Sequence, residues 1–107
     1  MAKRESKFQS ELIEEIEDRL PGCIVMKNDP NFIQGIPDLL ILYKKRWAAL
    51  ECKRSAHEHH QPNQDYYISL LDGWSFASFV YPENKEEVLD AMEQALQPRR
   101  KTRVFKR

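Results

Sequence analysis

The sequence predicts an α/β fold, with a mixed central sheet flanked by helices on both faces. Three observations predict it. Apolar residues recur at helical spacing in three separated stretches, 6–20, 62–71 and 85–96. Short runs rich in β-branched and aromatic residues lie between and after the first two. The order that results is α-β-β-β-α-β-α, with three consecutive strands between the first and second helices. At 107 residues this is one domain over 1–97, followed by a tail over 98–107.

In the first helix, Phe8, Leu12, Ile13, Ile16 and Leu20 share one face. Ser6 is the expected N-cap, and Pro21-Gly22 ends the helix. Glu11, Glu14, Glu15, Glu17 and Asp18 fill the other positions as solvated surface. Glu11 and Glu15 border the apolar stripe, so one of them is placed to point into a site. Residues 23–27 read as a short strand, and Asn28-Asp29-Pro30-Asn31 has turn chemistry. Gly35 allows an unusual backbone angle before Pro37, which fixes the start of the next strand.

Leu39-Leu40-Ile41-Leu42 is apolar on both faces, as expected of a strand covered on both sides. Lys44-Lys45 is its natural reversal, either as a two-residue turn or within a four-residue loop over 43–46. Both centre the hairpin between the two lysines. Leu42 then pairs with Trp47, Leu40 with Ala49, and Asp38 with Glu51. Lys53, two residues beyond Glu51, points the same way, while Cys52 points to the opposite face. Pro62 starts the second helix at its first position, and Asp72-Gly73 stops it. Its apolar residues are Tyr66, Tyr67, Ile68, Leu70 and Leu71. Residues 74–81 form the fourth strand. Asn84 caps the third helix, which turns Val88, Leu89, Met92 and Leu96 inward.

Composition excludes several classes. No apolar run approaches the ~20 residues a membrane span needs. Residues 1–7 carry charge with no apolar region after it, which is no signal peptide and points to the cytoplasm, or a host's cytoplasm for a phage-encoded chain. Cys23 and Cys52 belong to no CxxC pair, so they read as reduced core thiols. Net charge is zero, yet six of the 17 basic residues lie in 98–107, which holds no acid. That leaves 11 basic against 17 acidic residues in 1–97, a net of −6. An acidic body with a basic tail points to an anionic partner for the tail, nucleic acid first, or to a solvated terminus.

The chemistry is concentrated in the hairpin. Asp38, Glu51 and Lys53 sit at the ends of strands that otherwise belong in a core. Buried charges are costly unless paired or metal-bound. Two opposed carboxylates call for a hard cation, and oxygen donors of this kind suit Mg²⁺ or Mn²⁺. Lys53 beside them would position water or stabilise charge developing on a phosphate. A structural salt-bridge cluster capping the hairpin is the other reading.

Pro37-Asp38, a spacer and Glu51-Cys52-Lys53 resemble the PD-(D/E)XK nuclease signature. The element order is similar to that superfamily's αβββαβ restriction-endonuclease-like core. Gly35-Ile36-Pro37-Asp38-Leu39-Leu40 and Pro62-Asn63-Gln64 resemble its VRR-NUC branch, and the chain is also similar to Holliday-junction resolvases. The resemblance covers residues 8–96. It implies metal ligation by Asp38, Glu51 and the Cys52 carbonyl, and a catalytic role for Lys53. It places Gln64 near the metal or the scissile phosphate. It also implies an acid from the first helix, for which Glu11 fits best and Glu15 and Glu14 compete. The activity implied is Mg²⁺-dependent endonucleolytic cleavage of branched DNA by a homodimer. The alternatives are a nuclease-fold protein that binds DNA without cutting it, and a nuclease acting on plain duplex.

Lys44, Lys45, Arg54, Arg99, Arg100 and Lys101 are the expected phosphate contacts, with a solvated turn the equal alternative for Lys44 and Lys45. His57-Glu58-His59-His60 is spaced too tightly for a tetrahedral metal site and reads as a loop beside the substrate groove. Trp47 and Trp74 read as core or dimer-interface residues.

Overall fold

A computed structural model describes residues 5–98. Its elements are α1 (Glu5–Arg19), β1 (Ile24–Lys27), β2 (Leu39–Tyr43), β3 (Arg46–Cys52), α2 (Pro62–Trp74), β4 (Phe76–Val80) and α3 (Lys85–Leu96). The four strands form one sheet in the order β1-β2-β3-β4. The first three are antiparallel neighbours, and β4 runs parallel to β3. The fold is therefore α/β with a mixed sheet, compatible with an αβββαβ core plus a C-terminal helix. No helix among the described residues is long and apolar enough to cross a membrane.

The hairpin register is the expected one. Leu42 pairs with Trp47, Leu40 with Ala49 and Leu39 with Leu50. Tyr43 pairs with Arg46, so the reversal is the two-residue turn Lys44-Lys45. Lys44 takes a φ of +57° to make it, a conformation that costs a lysine more than it would a glycine.

Alternation along the strands sorts the molecule into layers. One face of the sheet carries Leu39, Ile41, Ala48, Leu50, Cys52 and Val80, all buried. Phe8, Leu12, Ile16 and Leu20 of α1 and Val88, Leu89, Met92 and Leu96 of α3 close over that face and complete the core. Among the described helices, α2 packs on the other face, beside the segment that leads into β2. Cys23 is half-buried, and Cys52 lies wholly inside the core.

Four expectations need correction. Ser6 lies inside α1, not at its cap, and its carbonyl accepts from the Ser10 hydroxyl. Asn84 holds the N-cap position of α3, but its side chain reaches backward. Its Oδ1 accepts from the Tyr81 N–H and its Nδ2 donates to the Phe79 carbonyl, so it fastens the end of β4. The second helix does not stop at Asp72-Gly73. It continues through Trp74, because Asp72 spends its carboxylate on the Ala77 N–H and turns the chain into β4 from within the helix. Finally, the second face of the sheet is only partly covered. No residue of α2 is fully buried, and Leu40 and Leu42 remain half-buried where Leu39 and Ile41 are enclosed.

One charged network joins the helices of the core layer. The Arg19 guanidinium lies 2.7 Å from Asp90, 2.9 Å from Glu86 and 3.2 Å from Glu93, all on α3, and 3.5 Å from Glu15. Lys85 returns the connection to Glu15 at 2.8 Å. The hydrogen bond from Lys85, followed by the charges of Lys85 and Arg19, holds the Glu15 carboxyl below its ordinary value. Arg19→Ala leaves three acids of α3 facing one another along i, i+4 and i+7. We expect a loss of about 1 kcal/mol in urea denaturation at low salt, shrinking at 1 M salt, because the partners are largely solvent-exposed. An unchanged denaturation midpoint would show that the network does not tie α1 to α3.

Candidate functional site

The antiparallel hairpin brings the start of β2 beside the end of β3, and every site residue follows from that. The Asp38 N–H donates to Glu51 Oε1 at 3.2 Å, and the Cys52 N–H donates to Asp38 Oδ2 at 2.8 Å. Each strand thus contributes a carboxylate that its partner's backbone holds. The expected juxtaposition of Asp38 and Glu51 is present. Lys53 lies on the same face, while the Cys52 side chain packs in the core on the other.

Glu51 and Lys53 are each only 5% exposed. Gln64, from the first turn of α2, connects them. Its Nε2 donates to Glu51 Oε2 at 3.0 Å, and its Oε1 accepts from Lys53 Nζ at 2.8 Å. The same Oε1 accepts from the Gln61 N–H at 3.0 Å, which anchors the side chain to the start of the helix. Lys53 Nζ also donates to the His59 carbonyl at 3.1 Å, and its own N–H donates to the Val80 carbonyl at 2.8 Å. The ammonium is thereby fixed in direction rather than left on a mobile stem.

Asp38 is half-buried. Burial pushes its carboxyl above the ordinary value, and the charge of Glu58 adds to this. The Cys52 N–H and the charge of Lys53 oppose the shift without cancelling it. Asp38 Oδ1 receives no hydrogen bond among the described residues. A cation beside Asp38 and Glu51 would reverse the penalty on the ionised form. The donors present are all oxygens, so the pair fits Mg²⁺ or Mn²⁺, with water completing the coordination.

Two positioning residues escape a reading by residue type. Asn28 is more than a turn residue. Its N–H donates to the Asp38 carbonyl at 2.8 Å and its Nδ2 to the Pro37 carbonyl at 2.8 Å, so it clamps the Pro37-Asp38 step. Extending the β1–β2 pairing one step past Lys27 and Leu39 sets Asn28 opposite Asp38. Glu58 accepts from the Arg54 N–H and lies 3.6 Å from Arg54 Nε. Gly35 contributes as well. At a φ of +87°, its Cα lies so close to α2 that a side chain would come within 2.7 Å of Asn63. Glycine here lets the segment before Asp38 lie against the start of the helix that carries Gln64.

The other expected site residues lie elsewhere. The core face of the sheet, opposite Asp38 and Glu51, is where α1 packs. Glu15 is occupied with Lys85 and Arg19, and Glu14 is exposed. Glu11 is exposed, and its charge acts on Lys85. Among the described residues, no three His, Cys, Asp or Glu side chains form a group able to hold a metal, so none of these acids completes one with Asp38 and Glu51.

Lys44 and Lys45 occupy the far end of the hairpin, on the order of 20 Å from Glu51 at ~3.3 Å per strand residue. They contact a phosphate only if the nucleic acid crosses the length of the sheet. Arg46 donates to the Ala95 carbonyl at 3.2 Å, so α3 ends beside that same turn. Gln97 and Pro98, the last described residues, lie beside that turn. Arg99, Arg100 and Lys101 lie outside the described residues. Arg54 borders the site, half engaged by Glu58. In the histidine loop, His60 stacks on Phe79 with ring centroids 3.9 Å apart and meets Asp65 at 3.1 Å, while His57 and His59 are exposed.

No protein-family model matches this chain, and comparisons with curated proteins and with solved structures give no significant match.

Proposed function

We propose that the chain is a divalent-metal-dependent endonuclease that hydrolyses DNA phosphodiester bonds, with branched DNA such as a Holliday junction or flap as substrate. The observation that carries this reading is the arrangement at the strand ends. A half-buried carboxylate with an open oxygen faces a second carboxylate, and an immobilised ammonium stands beside them. Asp38 and Glu51 would hold Mg²⁺ or Mn²⁺, with the Cys52 carbonyl as a further donor. Bound there, the ion would polarise a phosphoryl oxygen and lower the pKa of a bound water.

The chain's own residues do the rest. Lys53 presents a fixed positive charge to the oxygens on which charge develops as phosphate is attacked. Gln64 keeps both Lys53 and Glu51 aimed. The His59 carbonyl and Gln64 Oε1 each accept one ammonium N–H, which leaves the third for substrate. Branched DNA as substrate rests on the resemblance to VRR-NUC and junction-resolving nucleases. The lack of a third acid among Glu11, Glu14 and Glu15 favours one competing reading, a nuclease-fold protein that binds DNA without cutting it.

Metal binding separates the two. Calorimetric titration with Mn²⁺ is expected to show one saturable site in the wild type and none in Glu51→Gln. Equal heats from both proteins would remove Glu51 from the site and the proposal with it.

A further inference from the structure

We infer that His60 is a positioning residue for the site, and that its anchored ring sets the direction of both Lys53 and Gln64. This role rests on the parts proposed above for Lys53 and Gln64 in cleavage.

The backbone makes the connection. The peptide group between His59 and His60 supplies the carbonyl that accepts from Lys53 Nζ at 3.1 Å. The next peptide group, between His60 and Gln61, supplies the N–H that donates to Gln64 Oε1 at 3.0 Å. A peptide group is planar and turns as one unit. Both groups hinge at the His60 Cα, so rotation there moves the acceptor of Lys53, the donor to Gln64, or both. From Lys53 to Gln61 the chain forms no helix or strand. No regular ladder of backbone hydrogen bonds therefore fixes the two planes.

The side chain supplies what the backbone lacks. The His60 ring stacks on Phe79, with centroids 3.9 Å apart and planes 20° from parallel. Phe79 is the cross-strand neighbour of Glu51, and Val80 beside it turns into the core. Phe79 therefore stands on the face that carries Glu51, and the stack fastens the loop to the site's own row of the sheet. On the other side, His60 Nδ1 lies 3.1 Å from Asp65 Oδ1. An ionised carboxylate only accepts, so Nδ1 holds a proton there.

Gln61 holds the N-cap position of α2, so His60 precedes the cap and Asp65 is the fourth helical residue. Contact between those two positions fixes the angle at which a chain enters a helix. Here a hydrogen bond takes the place of the usual apolar contact. One ring is thus held by β4 and by α2 at once, and the peptide groups on either side of it hold Lys53 and Gln64.

Trace acetylation of the full chain with acetic anhydride, read lysine by lysine by mass spectrometry, tests this without any substrate. In the wild type, Lys53 should react far more slowly than the exposed Lys27 and Lys44. His60→Ala should raise the Lys53 rate at least ~tenfold, the scale of losing an aromatic stack and a charge-assisted hydrogen bond. His60→Phe keeps a ring over Phe79 and should recover most of the protection. Cys52, in the core on the opposite face, should stay closed to thiol reagents in every variant. In cleavage assays, His60→Ala should lower the single-turnover rate at saturating DNA ~tenfold and leave the dissociation constant for DNA unchanged.

Lys53 equally protected in His60→Ala, equally exposed in both variants, or exposed only together with Cys52 would each overturn the inference. Weaker DNA binding with an unchanged cleavage rate would overturn it as well. A wild type that cuts no DNA would remove the nuclease reading, and the protection of Lys53 would still decide whether His60 holds it.

Discussion

Lys53→Met should leave a folded protein that binds DNA and Mn²⁺ but cleaves at least ~100-fold more slowly in single-turnover assays, the usual cost of removing one fixed donor to developing charge. The thioether chain follows the lysine stem, so packing changes little. Two acceptors lose a donor, Gln64 Oε1 and the His59 carbonyl. Gln64 keeps its bond from the Gln61 N–H, so its side chain stays seated. Stability should fall only modestly, because leaving the His59 carbonyl unpaired costs about 1–3 kcal/mol and relieving a buried ammonium offsets part of it. Lys53→Arg should not restore cleavage, since a planar fork cannot occupy the space of a compact ammonium 5% exposed. Full activity in either variant would assign Lys53 a structural role alone.

Asp38→Asn separates folding from function in the opposite direction. Burial holds the Asp38 carboxyl above its ordinary value. For an acid this means the native state binds the proton more tightly than the unfolded chain. The associated stability is fully present below the unfolded value of 3.8 and is lost as pH rises through the higher folded value. At neutral pH the metal-free protein therefore carries an uncompensated cost. The amide removes the charge and keeps an oxygen to accept from the Cys52 N–H. The expected result is a higher Tm for Asp38→Asn at pH 7, with the difference closing below pH 4 or thereabouts. Mn²⁺ at a hundred times its dissociation constant should stabilise the wild type by ~2.7 kcal/mol and leave the variant unmoved. A variant less stable than the wild type at every pH would contradict this account of Asp38.

The hairpin was the most legible part of the sequence. Charge cannot continue the run Leu39–Leu42, so Lys44-Lys45 marks the reversal, and strand periodicity carries the register from there to Asp38 and Glu51. Periodicity likewise locates the inward faces of α1 and α3. It fails for α2, whose apolar residues resemble a core stripe although the helix lies over a sheet too wide for it to cover. Ser6 is no cap because α1 already begins at Glu5, and Asn84, though it holds the N-cap position of α3, bonds backward to the end of β4 rather than forward into the helix.

Asn28 and Glu58 carry no local signal of their roles. Their roles arise from contacts across the chain, Asn28 with Pro37 and Asp38, and Glu58 through its charge on Asp38. Residue type gives no sign of either. Glu11, Glu14 and Glu15 posed the reverse difficulty. Five acids on one helix offer no local distinction, and only the packing of α1 against α3 shows that Glu15 belongs to Lys85.

The most direct test of the central claim is cleavage itself. The purified chain, with Mg²⁺ or Mn²⁺, is incubated with linear, flap and four-way DNA of matched sequence, and the cuts are mapped. Metal-dependent incision of the branched substrates, absent in Glu51→Gln and with chelator, is the result expected. No incision of any substrate, or equal incision by Glu51→Gln, would contradict it.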